Sequence, residues 1–340
     1  MDCKKIQDLL NIQDNILVVG IGSIGSRHVS NLLSLGYDRI TLVTKRKEFP
    51  SHWPDFPVFP DFKSIPNISE FTNAFVCSPT ASHVGHLQEL LKTNVSKIYL
   101  EKPISHNLDD LEQFKTAAHK GVQILVGFDL HFDPGLNRVR KLLNDKVIGK
   151  VYSANAFVGQ YLPDWRPHED HRKGMSASLQ RGGGVMLDLI HEFDYLIWLL
   201  GSVQSVSAIY QENPELEIET EDVADVLIKF KSGATGTIHL DYHQRVLIRN
   251  CVFTGALGTI KWDLAARTVT LTQADKTEEV FDFSNFERND RYLEIAKAFM
   301  NADSDDRICT FEHGLESLQL VMASKISSQS NNILKSPLFK

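Results

Sequence analysis

Residues 15–25 read Asn15-Ile16-Leu17-Val18-Val19-Gly20-Ile21-Gly22-Ser23-Ile24-Gly25. A short apolar, β-branched run that ends in glycine predicts a strand buried in a parallel sheet. The three glycines that follow stand in the spacing GxGxxG. Gly20 permits a tight turn, Gly22 lets backbone approach a pyrophosphate, and Gly25 lets a helix pack close to the strand. Ser26 to Leu35 reads as that helix, closed by Gly36. Free N–H groups at the helix start, around Ser23 and Ile24, then face the phosphates. Arg39 to Thr44 supplies a second strand and completes a βαβ unit. The spacing alone is weak; the strand before it and the helix after it give it meaning. A βα turn without ligand is the alternative.

The alternation continues outward from this unit. A short strand lies near Val58-Phe59. Strands at Asn73–Cys77, Lys97–Leu100 and Val122–Gly127 alternate with helices at Ala81–Lys92 and Leu108–His119, which predicts a mostly parallel sheet covered by helices. After about Asp129 the pattern changes. One helix, Pro134–Asn144, precedes strands at Lys150–Gly159, Val203–Tyr210, Val223–Lys231, Ala234–Tyr242, Val246–Gly255, Gly258–Trp262, Thr268–Leu271 and Glu279–Phe283. Tight turns such as Lys231-Ser232-Gly233 make this a largely antiparallel sheet. Helices near Asp290–Met300 and Phe311–Ser328 end the chain.

The composition agrees with two domains in 340 residues. A net charge of -7 argues against nucleic acid as a partner. Cys3, Cys77, Cys251 and Cys309 form no CxxC pair, so neither a disulfide framework nor a metal site is expected. Residues 1–15 carry no apolar signal region, and no apolar run is long enough for a membrane span. A cytoplasmic location follows as an expectation.

Three further stretches carry chemistry. The second strand ends in Val43-Thr44-Lys45-Arg46-Lys47, where NAD enzymes usually place an acid for the ribose 2′-hydroxyl. A hydroxyl and cations suit a 2′-phosphate instead, which favours NADP over NAD; a solvated basic loop is the alternative. Cys77-Ser78-Pro79-Thr80-Ala81-Ser82-His83 and Glu101-Lys102-Pro103 each follow a sheet strand, where ligands of open α/β sheets collect. Either alone would be read as a turn. Finally, Gly184 to Tyr195 reads as one largely buried helix with Asp188, His191 and Tyr195 on a shared face. Carboxylate and imidazole are costly there unless paired or used. His191 can take a proton from a substrate hydroxyl as hydride leaves the same carbon; a structural Asp–His pair is the alternative.

Together these residues resemble the glucose–fructose oxidoreductase, inositol dehydrogenase and rhizopine-catabolism (Gfo/Idh/MocA) family over nearly the whole chain. The resemblance rests on Gly20 to His28, on Glu101-Lys102-Pro103, and on Gly182-Gly183-Gly184 leading to Asp188 and His191. Pro79 with His83, and Lys150 after Val147-Ile148-Gly149, are weaker echoes. It implies an α/β Rossmann domain over 1–128, with 1–14 as an extension. Residues 129–340 would form an α+β domain with an open, mostly antiparallel sheet, the C-terminal helix packing back on the first domain. That sheet is commonly a subunit interface, so a homodimer or homotetramer is implied. By resemblance, Lys102 lies by nicotinamide and substrate, Asp188 orients the substrate, and His191 is the acid/base.

The implied activity is hydride transfer between NAD(P) and a hydroxyl or keto carbon of a sugar, cyclitol or nucleotide-activated amino sugar. Two rivals are a hydrolase or eliminase that oxidises transiently, and a dinucleotide/sugar sensor without turnover. There are departures from the family pattern. Asp188 and His191 are three apart rather than four, which on a straight helix turns the histidine by about 100°. His131 stands where relatives often carry Arg, and is read with Tyr195 as a substrate contact. The loop from Tyr161 to Arg172 resembles those of members found among amino-sugar and sialic-acid-like biosynthesis genes. Trp165, with Arg166 or Arg172 meeting an anionic group, would be its contacts.

Overall fold

The computed structural model describes residues 14–116, 121–301 and 305–337. Residues 1–13 of the N-terminal extension expected over 1–14, Cys3 and the end of the helix expected at Leu108–His119 lie outside them. The chain divides into two compact units. One comprises Met1–Ile104, Asp109–Gly127 and Asn289–Phe311; the other comprises Ser105–Leu108, Phe128–Arg288 and Glu312–Lys340.

The first unit is a Rossmann fold. Strands β1 (Ile16–Val19), β2 (Ile40–Val43), β3 (Val58–Phe59), β4 (Asn73–Val76), β5 (Lys97–Leu100) and β6 (Gln123–Val126) pair in parallel in the order 6-5-4-1-2-3. β1, β2 and β4 are buried at every position; β1 is an unbroken apolar run, while β2 and β4 each bury one polar residue, Thr41 and Asn73. Helices α1 (Ser23–Ser34) and α2 (His83–Leu90) follow β1 and β4. Helix α3 spans Glu112–Lys115 and starts later than the sequence predicts. Asp110 sits in the left-handed region at φ 59°, which a helix does not accommodate.

In the second unit α4 (Pro134–Asn144) begins with the Asp133 carboxylate accepting the Leu136 N–H. β7 (Val151–Gly159) precedes α5 (Val185–Asp188) and α6 (His191–Leu200). Seven more strands follow: β8 (Val203–Gln211), β9 (Val223–Phe230), β10 (Thr235–Asp241), β11 (Ile248–Gly255), β12 (Gly258–Asp263), β13 (Thr268–Gln273) and β14 (Glu278–Asp282).

The chain then returns to the first unit through α7 (Arg288–Asn301) and β15 (Cys309–Thr310), which pairs antiparallel with β6. Phe299 of α7 packs edge-on to Phe75 at 4.9 Å between centroids. The last helix, α8 (Phe311–Ser330), belongs from Glu312 onward to the second unit.

A final strand, β16 (Leu334–Lys335), completes a nine-stranded sheet in the order 14-13-12-11-7-10-9-8-16. All its neighbours are antiparallel except β7 and β10. Alternation sets its two faces. Ala154, Ala156, Val226, Ile228, Ile238 and Leu240 are buried on one side, against which α5 and α6 pack. The opposite side leaves Ile209 and Leu227 66 and 54% exposed.

Candidate active site

In the first unit the glycine turn has the backbone its spacing predicts. Gly20 has φ +88°, and a Cβ there would lie 2.6 Å from the Ser78 backbone. A Cβ on Gly25 would run into the Gly20 carbonyl, so only glycine lets α1 approach. Gly22 differs: a Cβ would meet nothing within 4 Å. It caps α1 without a side-chain hydrogen bond, and Gly22 and Ser23 are exposed. Uncapped N–H groups beside an open glycine fit a pyrophosphate, which the Gly22-Ser23-Ile24 backbone would hold.

Thr44 and Arg46 lie close by. The Thr44 hydroxyl accepts the Arg46 N–H at 3.1 Å, and the Arg46 guanidinium donates to the Ile21 carbonyl at 3.3 Å. Arg46 is thereby pinned over the turn, while Lys45 is exposed. The loop after β4 is tied down by His83. Its ring nitrogens lie 2.9 Å from the Ser78 and Pro103 carbonyls, and burial holds its pKa down. Pro79 precedes a 3-10 turn at Thr80–Ser82, with Thr80 buried. Ser78 Oγ is 2.8 Å from Nδ1 of His86, an imidazole whose pKa burial lowers to about 4.

Glu101 is buried. It accepts the Tyr99 hydroxyl at 3.0 Å and the Lys102 N–H at 3.3 Å, and lies 3.1 Å from His28 Nε2. The Lys102–Pro103 peptide is cis. His28, buried on α1, is a partner the sequence reading did not assign, although it sits three residues past Gly25.

In the second unit the predicted single helix is two. Leu189, at φ -101° and ψ 32°, ends α5, and α6 starts at His191. Asp188 and His191 therefore do not share one helical face, and the rotation implied by their spacing on a straight helix does not apply. α5 is anchored through Gly184, at φ +115°, where a Cβ would strike the Glu221 carboxylate. Glu221 is paired with Lys325 at 2.8 Å. Asp188 accepts the Tyr242 hydroxyl at 2.7 Å. Burial, then the Asp188 charge, pushes that phenol well above its ordinary range, so it remains a donor. Trp165 stands edge-on to Tyr242 at 5.4 Å and donates its indole N–H to the Gln160 carbonyl.

His191 Nε2 lies 3.4 Å from Asp129 Oδ1, both side chains being almost buried. Phe128 packs edge-on against the imidazole at 5.6 Å. Next to it, Glu192 is fully buried in a fork with Arg249. Asp129, Tyr242, Glu192 and Arg249 were all missed in the sequence. Of these, Glu192 stood within the singled-out stretch Gly184–Tyr195, and Asp129 two residues before His131.

Two predicted substrate contacts are used elsewhere. Tyr195 is fully buried, edge-on to Trp262 at 5.5 Å, because α6 turns that face into the core. His131 is also buried. It lies 2.8 Å from Asp194 and stacks on Trp198 at 4.1 Å between centroids. Asp194 meets His313 at 3.1 Å through its other oxygen. Burial alone would raise the Asp194 pKa, but the two imidazoles outweigh it and hold the carboxyl below its ordinary value. Arg166 and Arg172 lie on the surface, paired with Glu169 and with Asp170 and Glu217.

The profile of the oxidoreductase family with an NAD-binding Rossmann fold (GFO/IDH/MocA) matches residues 15–128, and that of the GFO/IDH/MocA C-terminal domain matches residues 136–261. Myo-inositol 2-dehydrogenase of Thermotoga maritima is 26% identical, over 94% of this chain and 97% of its own. An NAD-binding oxidoreductase structure from Klebsiella pneumoniae superposes with a TM-score of 0.82 at 18% identity, covering 96% of this chain and all of the other. Levoglucosan dehydrogenase in complex with NADH superposes with a TM-score of 0.80 at 16% identity, covering 95 and 99%.

Proposed function

Because the chain belongs to the GFO/IDH/MocA family of oxidoreductases, we propose that it transfers hydride between NADP and a hydroxyl or keto carbon of a sugar, cyclitol or nucleotide-activated amino sugar. The observation that carries this reading is the break between α5 and α6. It sets a carboxylate held by a phenol, Asp188, beside an imidazole facing a carboxylate, His191. The bound dinucleotide supplies the hydride acceptor at its nicotinamide C4. In the oxidative direction His191 would take the hydroxyl proton of the carbinol whose hydride the dinucleotide would accept. Lys102 polarises the oxygen, and Asp188 accepts hydrogen bonds from the sugar. Relatives named for inositol and levoglucosan support a polyhydroxylated substrate.

NADP over NAD rests on Thr44, Lys45 and Arg46, where no acid stands to hold a 2′-hydroxyl and Arg46 is fixed over the glycine turn. The open face of the nine-stranded sheet, with Ile209 and Leu227 exposed, supports a homodimer or homotetramer. Among the described residues no helix is long and apolar enough to cross a membrane, and Cys77, Cys251 and Cys309 are free thiols. The free thiols agree with a reducing, cytoplasmic setting.

The test is a nicotinamide-absorbance screen of myo-inositol, D-xylose, levoglucosan and nucleotide-linked amino sugars with each cofactor. Titration of NAD and NADP into wild type and Lys45→Ala/Arg46→Ala accompanies it. Turnover that is lost in Lys102→Ala and His191→Ala is expected. Equal affinity of the wild type for both cofactors would sink the NADP assignment.

A further inference from the structure

We infer that Asp129 is a positioning residue for proton transfer at His191, an inference that rests on His191 being the group that exchanges the substrate proton. His191 is the first residue of α6, where the helix dipole disfavours positive charge on the ring. A base in that place needs a counterweight, and Asp129 Oδ1 lies 3.4 Å from its Nε2. The carboxylate sits on a fixed support. It opens a 3-10 turn at Asp129–Phe132. The turn is held by Asn137, whose amide donates to the His131 carbonyl at 2.7 Å, and by Trp262, whose indole donates to Asp133 at 3.1 Å.

The other charges around His191 do not replace it. Glu192 is neutralised by Arg249 through two hydrogen bonds. Asp194 is engaged by His131 and His313. Asp188, at the end of α5, is held by Tyr242. Asp129 thus faces the His191 imidazole, and it also lies in the electrostatic field of Arg249. In the oxidative direction the hydroxyl O–H breaks and its proton binds the imidazole. The C–H electron pair leaves as hydride to the nicotinamide, so the alcohol is oxidised and the dinucleotide reduced. Asp129 takes no proton; it stabilises the imidazolium and orients the ring.

The experiment uses the full chain without substrate. Imidazole nitrogen NMR follows the titration of His191 in wild type, Asp129→Asn and Asp129→Glu, with His191→Gln to identify the signal. The His191 midpoint is expected to fall by about one pH unit in Asp129→Asn and to recover in Asp129→Glu. With the sugar found in the screen, Asp129→Asn should lower kcat about tenfold, leave KM within about twofold, and move the acid limb of the kcat profile to lower pH. A midpoint within about 0.2 units of wild type in Asp129→Asn overturns the inference directly. Full turnover in His191→Ala overturns it by removing the reading beneath it, and that result is distinguished by a shifted midpoint in Asp129→Asn.

Discussion

Arg249 grips Glu192 through two parallel hydrogen bonds of 2.8 Å, with the carboxylate fully buried. Removing one partner strands the other charge, which costs about 3–5 kcal/mol. Glu192→Ala and Arg249→Ala should each lose stability on this scale in urea unfolding. A paired replacement, Glu192→Leu with Arg249→Met, should lose less than either. Additive losses would mean that the two side chains act independently.

Gly20 and Gly22 separate folding from ligand binding. Gly20→Ala places a Cβ against the Ser78 backbone at positive φ, so its melting temperature should fall. Gly22→Ala meets no protein atom within 4 Å and should melt like wild type. Its methyl group instead enters the space a pyrophosphate needs. Dinucleotide affinity, by calorimetry, should weaken by about tenfold or more.

The Asp194 cluster predicts a pH window. Asp194 is held below its ordinary 3.8, so its stabilisation is present above that value and fades as pH falls through the folded pKa. For His313, burial lowers the pKa but Asp194 outweighs it, and the net shift is upward from 6.5. Its stabilisation is full below 6.5 and fades as pH rises through the folded value. His313→Gln should therefore cost more stability at about pH 5.5 than at about pH 8.5. Chemical denaturation at the two values checks this, and an equal cost would show that the imidazolium contributes nothing.

Tyr242→Phe removes the phenol that donates to Asp188 and changes little volume. With an active sugar, kcat/KM should fall on the order of tenfold, since a hydrogen bond to a charged group is lost. A thermal melt serves as the control, because a collapsed fold would lower activity without any role for Asp188.

What the sequence discloses follows the range of each interaction. The glycine turn is legible because its constraints lie within a few residues of one another. The break at Leu189 is not, since Leu189 and Ile190 carry no glycine or proline signal and nothing local forbids a continuous helix. His131 invited a substrate role because its partners, Asp194 and His313, lie far along the chain. Asp129 was passed over for the same reason. Its meaning depends on His191 in another element, and neither residue names the other.

The separation of α5 from α6 gives the two site residues independent mountings. Asp188 rides on a segment fastened through Gly184 to the Glu221–Lys325 pair, whereas His191 starts a helix fastened by Glu192 to Arg249. A substitution that retunes one anchor leaves the other in place. The substrate orientation proposed for Asp188 and the proton exchange proposed for His191 would then be traits that selection, or a protein engineer, can adjust one at a time.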